Sequence, residues 1–268
     1  MPRIADIIAA IEAEAPLTLQ ESWDNSGLQI GHADAECTGV MIALDPSVAA
    51  IDDAIAAGCN MLATHHPLFF HKPERIVGAT AQQRIIERAI SSGVAIYSAH
   101  TSLDAAPRGL NHTAAEMLGL TGIAPLEPSS AIPGAGMGAV GNLPSPLSAH
   151  EFVELVKAKF GSPVVRCSAA CNRYCGDSKI SRVALCTGSG SSMIAAAKRA
   201  GADAYLTSDT SYHLFADHID EPLMIADIGH HESESHARDI LMRIISEKFP
   251  NFAVRMSNSD TVNPIAYA

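Results

Sequence analysis

Histidines and carboxylates stand at three places in the chain where they could bind metal ions. The first is His65-His66, which directly follows the apolar run 61–63. Successive strand side chains point to opposite faces, so both rings converge only where the chain leaves the strand. Pro67 suits such an exit because proline donates no hydrogen bond to a sheet. A pair of hydrogen-bonded loop histidines is the alternative interpretation.

The second place, His100 and Asp104, follows the apolar run 94–97. The surrounding pattern predicts strands at 40–44, 61–63 and 94–97, with helices at 45–57 and 80–92 between them. Asp45-Pro46 is typical of a helix start. Alternating strands and helices predict an α/β fold with a parallel sheet, in which ligands bind beyond the carboxyl ends of the strands.

The third place is the stretch 227–236, where His230/Glu234 and Glu232/His236 are each four residues apart. The H-E-x-x-H pattern is excluded because Ser235 stands four residues after His231. The helix is predicted to continue past this stretch, so that His230 and Glu234 share the stripe of its later apolar residues. Glu232 and His236 are predicted to form a solvated surface pair.

These places together predict inward-facing metal ligands at His65, His66, Asp104, His230 and Glu234. Five ligands are too many for one tetrahedral site with an open position, and they suit two divalent ions that activate water. Imidazole with carboxylate favours zinc, iron or manganese. His100 and His213 are predicted to transfer protons or support the ligands. Backbone-bonded loop histidines are the alternative for both.

Composition limits the class of protein. The 268 residues carry a net charge of −11 and are 47% hydrophobic. An acidic chain disfavours binding to nucleic acid, and no apolar run is long enough to span a membrane. The N-terminus lacks a signal-peptide pattern, so we expect a cytoplasmic location and reduced thiols.

For two further motifs, an interpretation without a bound ligand is favoured. Cys167, Cys171 and Cys175 are four residues apart, and ordinary thiols are favoured over a zinc or iron–sulfur site. The Gly/Ser turn 188–192 opens a helix and could hold an anion, although a tight turn is favoured by its spacing.

Several motifs, taken together, resemble the Nif-three-like family, whose members are named GTP cyclohydrolase 1 type 2 homologues. The matching motifs cover nearly the whole chain and are Trp23-Asp24-Asn25-Ser26-Gly27-Leu28, Thr64-His65-His66-Pro67, His100-Thr101-Ser102-Leu103-Asp104, Gly109-Leu110-Asn111, Thr207-Ser208-Asp209, and Gly229-His230 with Ser233-Glu234. Ser102 stands where asparagine is usual and Ser208 where glycine is usual.

The resemblance implies a dinuclear metal centre with ligands at His65, His66, Asp104, His230 and Glu234. It also implies two interleaved α/β domains with mostly parallel sheets flanked by helices, assembled as a ring-shaped homohexamer around an internal cavity. The Pro/Gly-rich stretch 125–147 indicates a boundary. We therefore expect one domain at 1–125 plus 228–268 and another at 126–227, without the insertion of longer relatives.

Two functions remain open from the sequence. The first is a dinuclear metal-dependent hydrolase that acts on a nucleotide-like or phosphate-containing small molecule of unknown identity, with GTP cyclohydrolase-like activity implied by the family name. The second is a non-catalytic metal-binding, metal-handling or scaffold protein.

Overall fold

The computed structural model describes residues 1–168, 179–259 and 263–266. It contains two compact units: unit 1 comprises Met1–Leu103 and His236–Pro264, and unit 2 comprises Asp104–Ser235 and Ile265–Ala268. Each unit contains one mixed β-sheet flanked by helices, which confirms the predicted α/β class. Cys171 and Cys175 lie outside the described residues.

The helices and strands follow one another along the chain in this order: α1 Ile4–Glu14, β1 Gly27–Ile30, β2 Val40–Ala43, α2 Val48–Ala56, β3 Met61–Thr64, α3 Ala81–Ser92, β4 Ala95–Ser98, α4 Thr101–Asp104, α5 Leu110–Met117, β5 Thr121–Pro128, β6 Gly136–Leu147, α6 Ala149–Phe160, β7 Arg166–Cys167, β8 Ile180–Leu185, α7 Ile194–Arg199, β9 Ala204–Thr207, α8 Tyr212–Asp217, β10 Met224–Asp227, α9 His230–Glu234, α10 Ala237–Lys248 and β11 Val254–Met256.

Unit 1 has a five-stranded sheet in the order β1-β4-β3-β2-β11. Only the β1–β4 pairing is antiparallel. Strands β2, β3 and β4 are buried at every residue, as expected for parallel strands covered on both faces. A cluster that includes Ile51, Leu62, Ile86 and Ile96 packs helices α2 and α3 against this sheet.

Helix α2 begins later than the sequence predicts. Its N-cap is Ser47, whose hydroxyl accepts a hydrogen bond from the backbone N–H of Ala50 at 3.0 Å. Asp45 was the expected cap, but its carboxylate instead hydrogen-bonds the ring of His66. The helix start at Asp45-Pro46 was therefore wrong by two residues.

Unit 2 has a six-stranded sheet in the order β5-β6-β8-β9-β10-β7. Its parallel pairings are β8–β9 and β9–β10, and the remaining pairings are antiparallel. One apolar cluster, centred on Phe152 and Val156 of α6, covers one set of strand side chains. A second, which includes Tyr205 and Ile194, packs α7 against the alternate set.

Strand register decides which loops meet at the carboxyl edge of each sheet. In unit 1, Thr64 pairs with both Ala43 and Ser98, so the chain leaves β2, β3 and β4 at one edge. In unit 2, Thr207 pairs with Asp227, and Leu206 pairs with Leu185. The residues after β8, β9 and β10 therefore emerge side by side.

No helix among the described residues combines the length and apolarity that crossing a bilayer requires.

The role of Ser47 can be tested by comparing Ser47→Ala with Asp45→Ala. Loss of an N-cap hydroxyl costs about 1 kcal/mol, so Ser47→Ala should lower the free energy of unfolding by about that amount without changing metal content. Asp45→Ala should leave the helix cap intact and weaken metal binding. Urea denaturation and elemental analysis measure the two effects. If Asp45→Ala lowered the free energy of unfolding and Ser47→Ala did not, Asp45 would be the helix cap.

Candidate metal centre

Three histidines of unit 1 form a compact group. His65 and His66 follow β3, and His100 follows β4, so the register of these strands brings the three rings to one edge. Ligand atoms of all three lie within 4.8 Å of one another. His65 is fully buried and His100 is 8% exposed. This buried group could hold a metal ion.

An oxygen acceptor binds the Nδ1 atom of each of these rings. The acceptor is the Ala99 carbonyl for His65, at 2.9 Å, and the Asp45 carboxylate for His66, at 2.8 Å. For His100 it is the Asp24 carboxylate, at 2.8 Å. A ring whose Nδ1–H is donated in this way presents Nε2 as its ligand nitrogen, which is the usual arrangement around metals.

Asp24 anchors the His100 side of this group. Its carboxylate accepts hydrogen bonds from His100, from the backbone N–H and hydroxyl of Thr101, and from the Ser26 hydroxyl. Burial by itself would raise the pKa of the Asp24 carboxyl, but the hydrogen bonds from His100 and Thr101 outweigh it and lower the pKa. Asp24 is therefore an anion that orients His100.

His230 and Glu234 form the corresponding pair in unit 2. They are the first and last residues of α9, and the His230 Nε2 atom lies 2.8 Å from the Glu234 Oε2 atom. The Nδ1 atom of His230 lies 2.7 Å from a carboxylate oxygen of Asp209, which follows β9. The contact between His230 Nδ1 and Asp209 therefore repeats the arrangement seen at His66 and His100.

The backbone at Asp209 is strained. Among the residues that the structure describes, Asp209 is the one non-glycine residue with a positive φ, at 55°. Aspartate tolerates this conformation better than most residues, but it remains costly. The strained turn directs the carboxylate toward His230.

Gly188 lies against the Glu234 carboxylate. Its φ is +65°, and a Cβ atom at this position would overlap Glu234 Oε1. The Gly188 N–H donates to the Ser233 hydroxyl at 2.9 Å, and the Gly190 N–H donates to the Thr207 hydroxyl at 3.0 Å. Because both amides are used internally, they favour the tight-turn interpretation of 188–192 over the anion-binding one.

Asp104 ends helix α4 and is 7% exposed. The side-chain amide of Asn111 donates to the Asp104 carbonyl at 3.1 Å and its oxygen accepts from the Thr187 N–H at 2.9 Å. Asp104 and Asn111 also line a cavity of about 390 Å³ in unit 2, together with Pro107, His112 and residues of β5 and β6. A small molecule could therefore approach Asp104 from this cavity.

The structure places the other predicted residues as follows. His100 joins the His65-His66 group. His213 is exposed on α8, where its ring contacts Tyr212 edge-on, and its proton-transfer role stays a prediction.

The prediction of a solvated pair at Glu232 and His236 was wrong, because each residue is only 8% exposed. That expectation assumed one uninterrupted helix. The chain instead forms two helices, α9 and α10, separated by Ser235 and His236, so one periodic stripe cannot be extended through both.

Sequence reasoning missed the carboxylates that orient the imidazoles. The sequence predicts Asp45 as a helix cap, and it offers Asp24 and Asp209 only as members of family motifs. The sequence does contain a signal for these carboxylates. Asp45 and Asp209 follow the carboxyl ends of strands, and Asp24 lies in a family motif. Their partners depend on strand register, which the sequence alone does not give.

Comparison with known proteins gives the family. The profile of the Duf34/NIF3 (NGG1p interacting factor 3) family matches residues 2–264. A GTP cyclohydrolase 1 type 2 homolog of Clostridium acetobutylicum is 35% identical over 235 residues, which are 87% of this chain and 85% of that protein. One from Nostoc sp. is 34% identical and covers 96% of both chains. The chain belongs to the DUF34/NIF3 family.

Solved structures agree with this assignment. The Staphylococcus aureus protein SA1388 superposes with a TM-score of 0.88 at 26% identity and covers 100% of this chain and 99% of its own. Reduced HcgD from Methanocaldococcus jannaschii gives a TM-score of 0.79 at 27% identity, covering 96% and 98%. The resemblance stated from the sequence motifs is confirmed.

The anionic role of Asp24 can be tested with Asp24→Asn. An amide cannot accept at both positions, so we expect a loss of about 1–3 kcal/mol in unfolding free energy at neutral pH. The folded-state pKa of Asp24 is lowered, so its contribution is present above the unfolded pKa of about 4 and is lost as pH falls below it. Urea denaturation should show the gap to wild type narrowing below about pH 4. Exposed Asp34→Asn is the control, and a gap independent of pH would contradict the ionised state.

The packing of Gly188 against Glu234 can be tested with Gly188→Ala. Gly201→Ala is the matched control, because Gly201 has a φ of +67° and open space where a Cβ would lie. Both variants should lose about 1–2 kcal/mol of stability from left-handed backbone strain. Only Gly188→Ala should displace the Glu234 carboxylate and lower metal content, measured by elemental analysis. Equal metal content in the two variants would show that Glu234 does not need this space.

Proposed function

We propose that the protein binds a pair of divalent metal ions through His65, His66, Asp104, His230 and Glu234. The observation that carries this proposal is the shared orientation of the imidazoles. Each ring of His65, His66 and His230 donates its Nδ1–H to an oxygen acceptor, so that Nε2 is the nitrogen that can bind a metal. The donor set, imidazole with carboxylate, suits zinc, iron or manganese.

Burial also supports a metal. His65 and Glu234 are almost completely buried, so their interaction with a bound ion would be screened little by water. Two divalent ions would neutralise the carboxylates of Asp104 and Glu234. The carboxylates of Asp45 and Asp209 hold the ligand rings without being ligands themselves.

We further propose that the metal pair serves a hydrolytic reaction on a nucleotide-like or phosphate-containing small molecule. When bound, such ions lower the pKa of water and polarise carbonyl or phosphoryl oxygens. His100, oriented by ionised Asp24, is suited to hold or transfer a proton at Nε2. The cavity beside Asp104 offers space for a small molecule. The name of the relatives, GTP cyclohydrolase 1 type 2 homolog, favours a nucleotide.

The homohexamer implied by the family resemblance is part of the same proposal. Light scattering should give six times the mass of the chain. A monomer or dimer would remove the ring assembly from the proposal without affecting the ligand assignment.

Metal content tests the ligands. We expect about two divalent ions per chain in the wild type, as two-metal sites hold, and a clear loss in His65→Ala and in Glu234→Ala. His150→Ala, which removes an exposed imidazole of α6, is the matched control. Elemental analysis of the purified variants gives the measurement. Undiminished stoichiometry in both site variants would refute the ligand assignment.

Activity tests the hydrolase. The metal-loaded protein should hydrolyse at least one member of a panel of nucleotides and phosphoesters, with His65→Ala as the blank. Full metal loading without turnover of any compound would refute the hydrolytic part and leave a metal-binding or metal-handling protein.

A further inference from the structure

Two large aromatic side chains are exposed beside the histidine group of unit 1. Trp23 is 61% exposed and Phe70 is 52% exposed. Their ring centroids lie 6.0 Å apart with an angle of 28° between the ring planes. The centroid of the His100 ring lies 6.0 Å from Trp23 and 5.4 Å from Phe70. The two rings therefore extend the imidazole group outward to solvent.

Hydrogen bonds hold the two loops that carry these rings. The side-chain amide of Asn25 donates to the Phe69 carbonyl at 3.0 Å, and the Phe69 N–H donates to the side-chain oxygen of Gln29 at 3.0 Å. Asp24, the neighbour of Trp23, is fixed by His100. The loop of Trp23 is therefore held both to the loop of Phe70 and to His100.

The hydrophobic effect does not explain this exposure, since burial of each ring would stabilise the protein. A protein interface buries roughly 800 Å² on each partner. Here most residues within two positions of either ring in the chain are polar and exposed, among them Glu21, Ser22, His71 and Lys72. The patch is better matched in size and shape to a planar ring.

We propose that Trp23 and Phe70 form a stacking platform for a planar heteroaromatic ring of the substrate. Aromatic faces bind such rings by stacking, with little dependence on the identity of the ring. A ring on this platform would place its phosphate or other polar substituent near His65, His66 and His100. Because it names residues that bind the substrate, this assignment rests on the function proposed above.

The single tryptophan of the chain makes the platform directly observable. Full-length, metal-loaded protein is titrated with AMP, GMP and UMP, and with ribose 5-phosphate as the matched probe without a base. Nucleotides should quench the fluorescence of Trp23 saturably, and ribose 5-phosphate should not. Phe70→Ala should weaken nucleotide binding by about tenfold, whereas Phe70→Tyr, which keeps the ring, should stay within about twofold of wild type.

The outcomes separate this platform from the metal site. Normal metal content with no quenching by any nucleotide, or equal quenching by ribose 5-phosphate, would overturn the platform and leave the metal site intact. Quenching that persists after the metal is removed would support the platform and show that stacking on Trp23 and Phe70 does not require the metal. Sedimentation of a Trp23→Ala/Phe70→Ala variant gives a further check. Loss of the native assembly would show that the rings contact a second copy and would overturn the platform.

Discussion

Each imidazole of the candidate centre is held by a hydrogen bond at its Nδ1 atom. An unheld imidazole can rotate and can present either nitrogen, so a metal would have to order it at an entropic cost. Here backbone or carboxylate oxygens fix the tautomer and the ring direction in advance. Asp24, Asp45 and Asp209 are thus as much part of the candidate centre as the histidines that they hold.

The cost of this preorganisation is visible in the backbone. Asp209 adopts a left-handed backbone conformation that brings its carboxylate to His230. Position 188 is a glycine, and a Cβ atom there would overlap the Glu234 carboxylate. Helix α2 begins after Ser47, so Asp45 and Pro46 lie outside it. The Asp45 carboxylate is therefore available to accept a hydrogen bond from His66. Sites that must bind charge often retain strain of this kind.

Exposure changes gradually across the histidine group. His65 is fully buried, His100 is nearly so, and Trp23 and Phe70 face solvent. Such a gradient suits a centre in which metal ligands lie inside and a planar substrate is bound at the rim. In unit 2, Asn111 lines the cavity beside Asp104, and its side-chain amide fixes the Asp104 backbone.

The α/β class, the family and the residues that could bind metal can be read from the amino-acid sequence, because apolar periodicity and ligand chemistry are local properties. The grouping of His100 with His65 and His66 cannot, since it depends on the register that pairs Thr64 with Ser98. The burial of Glu232 is likewise tertiary, because α9 ends at Glu234 and does not continue into α10 as the periodicity predicts. Burial and partner choice are set by contacts between distant segments, and no local pattern encodes them.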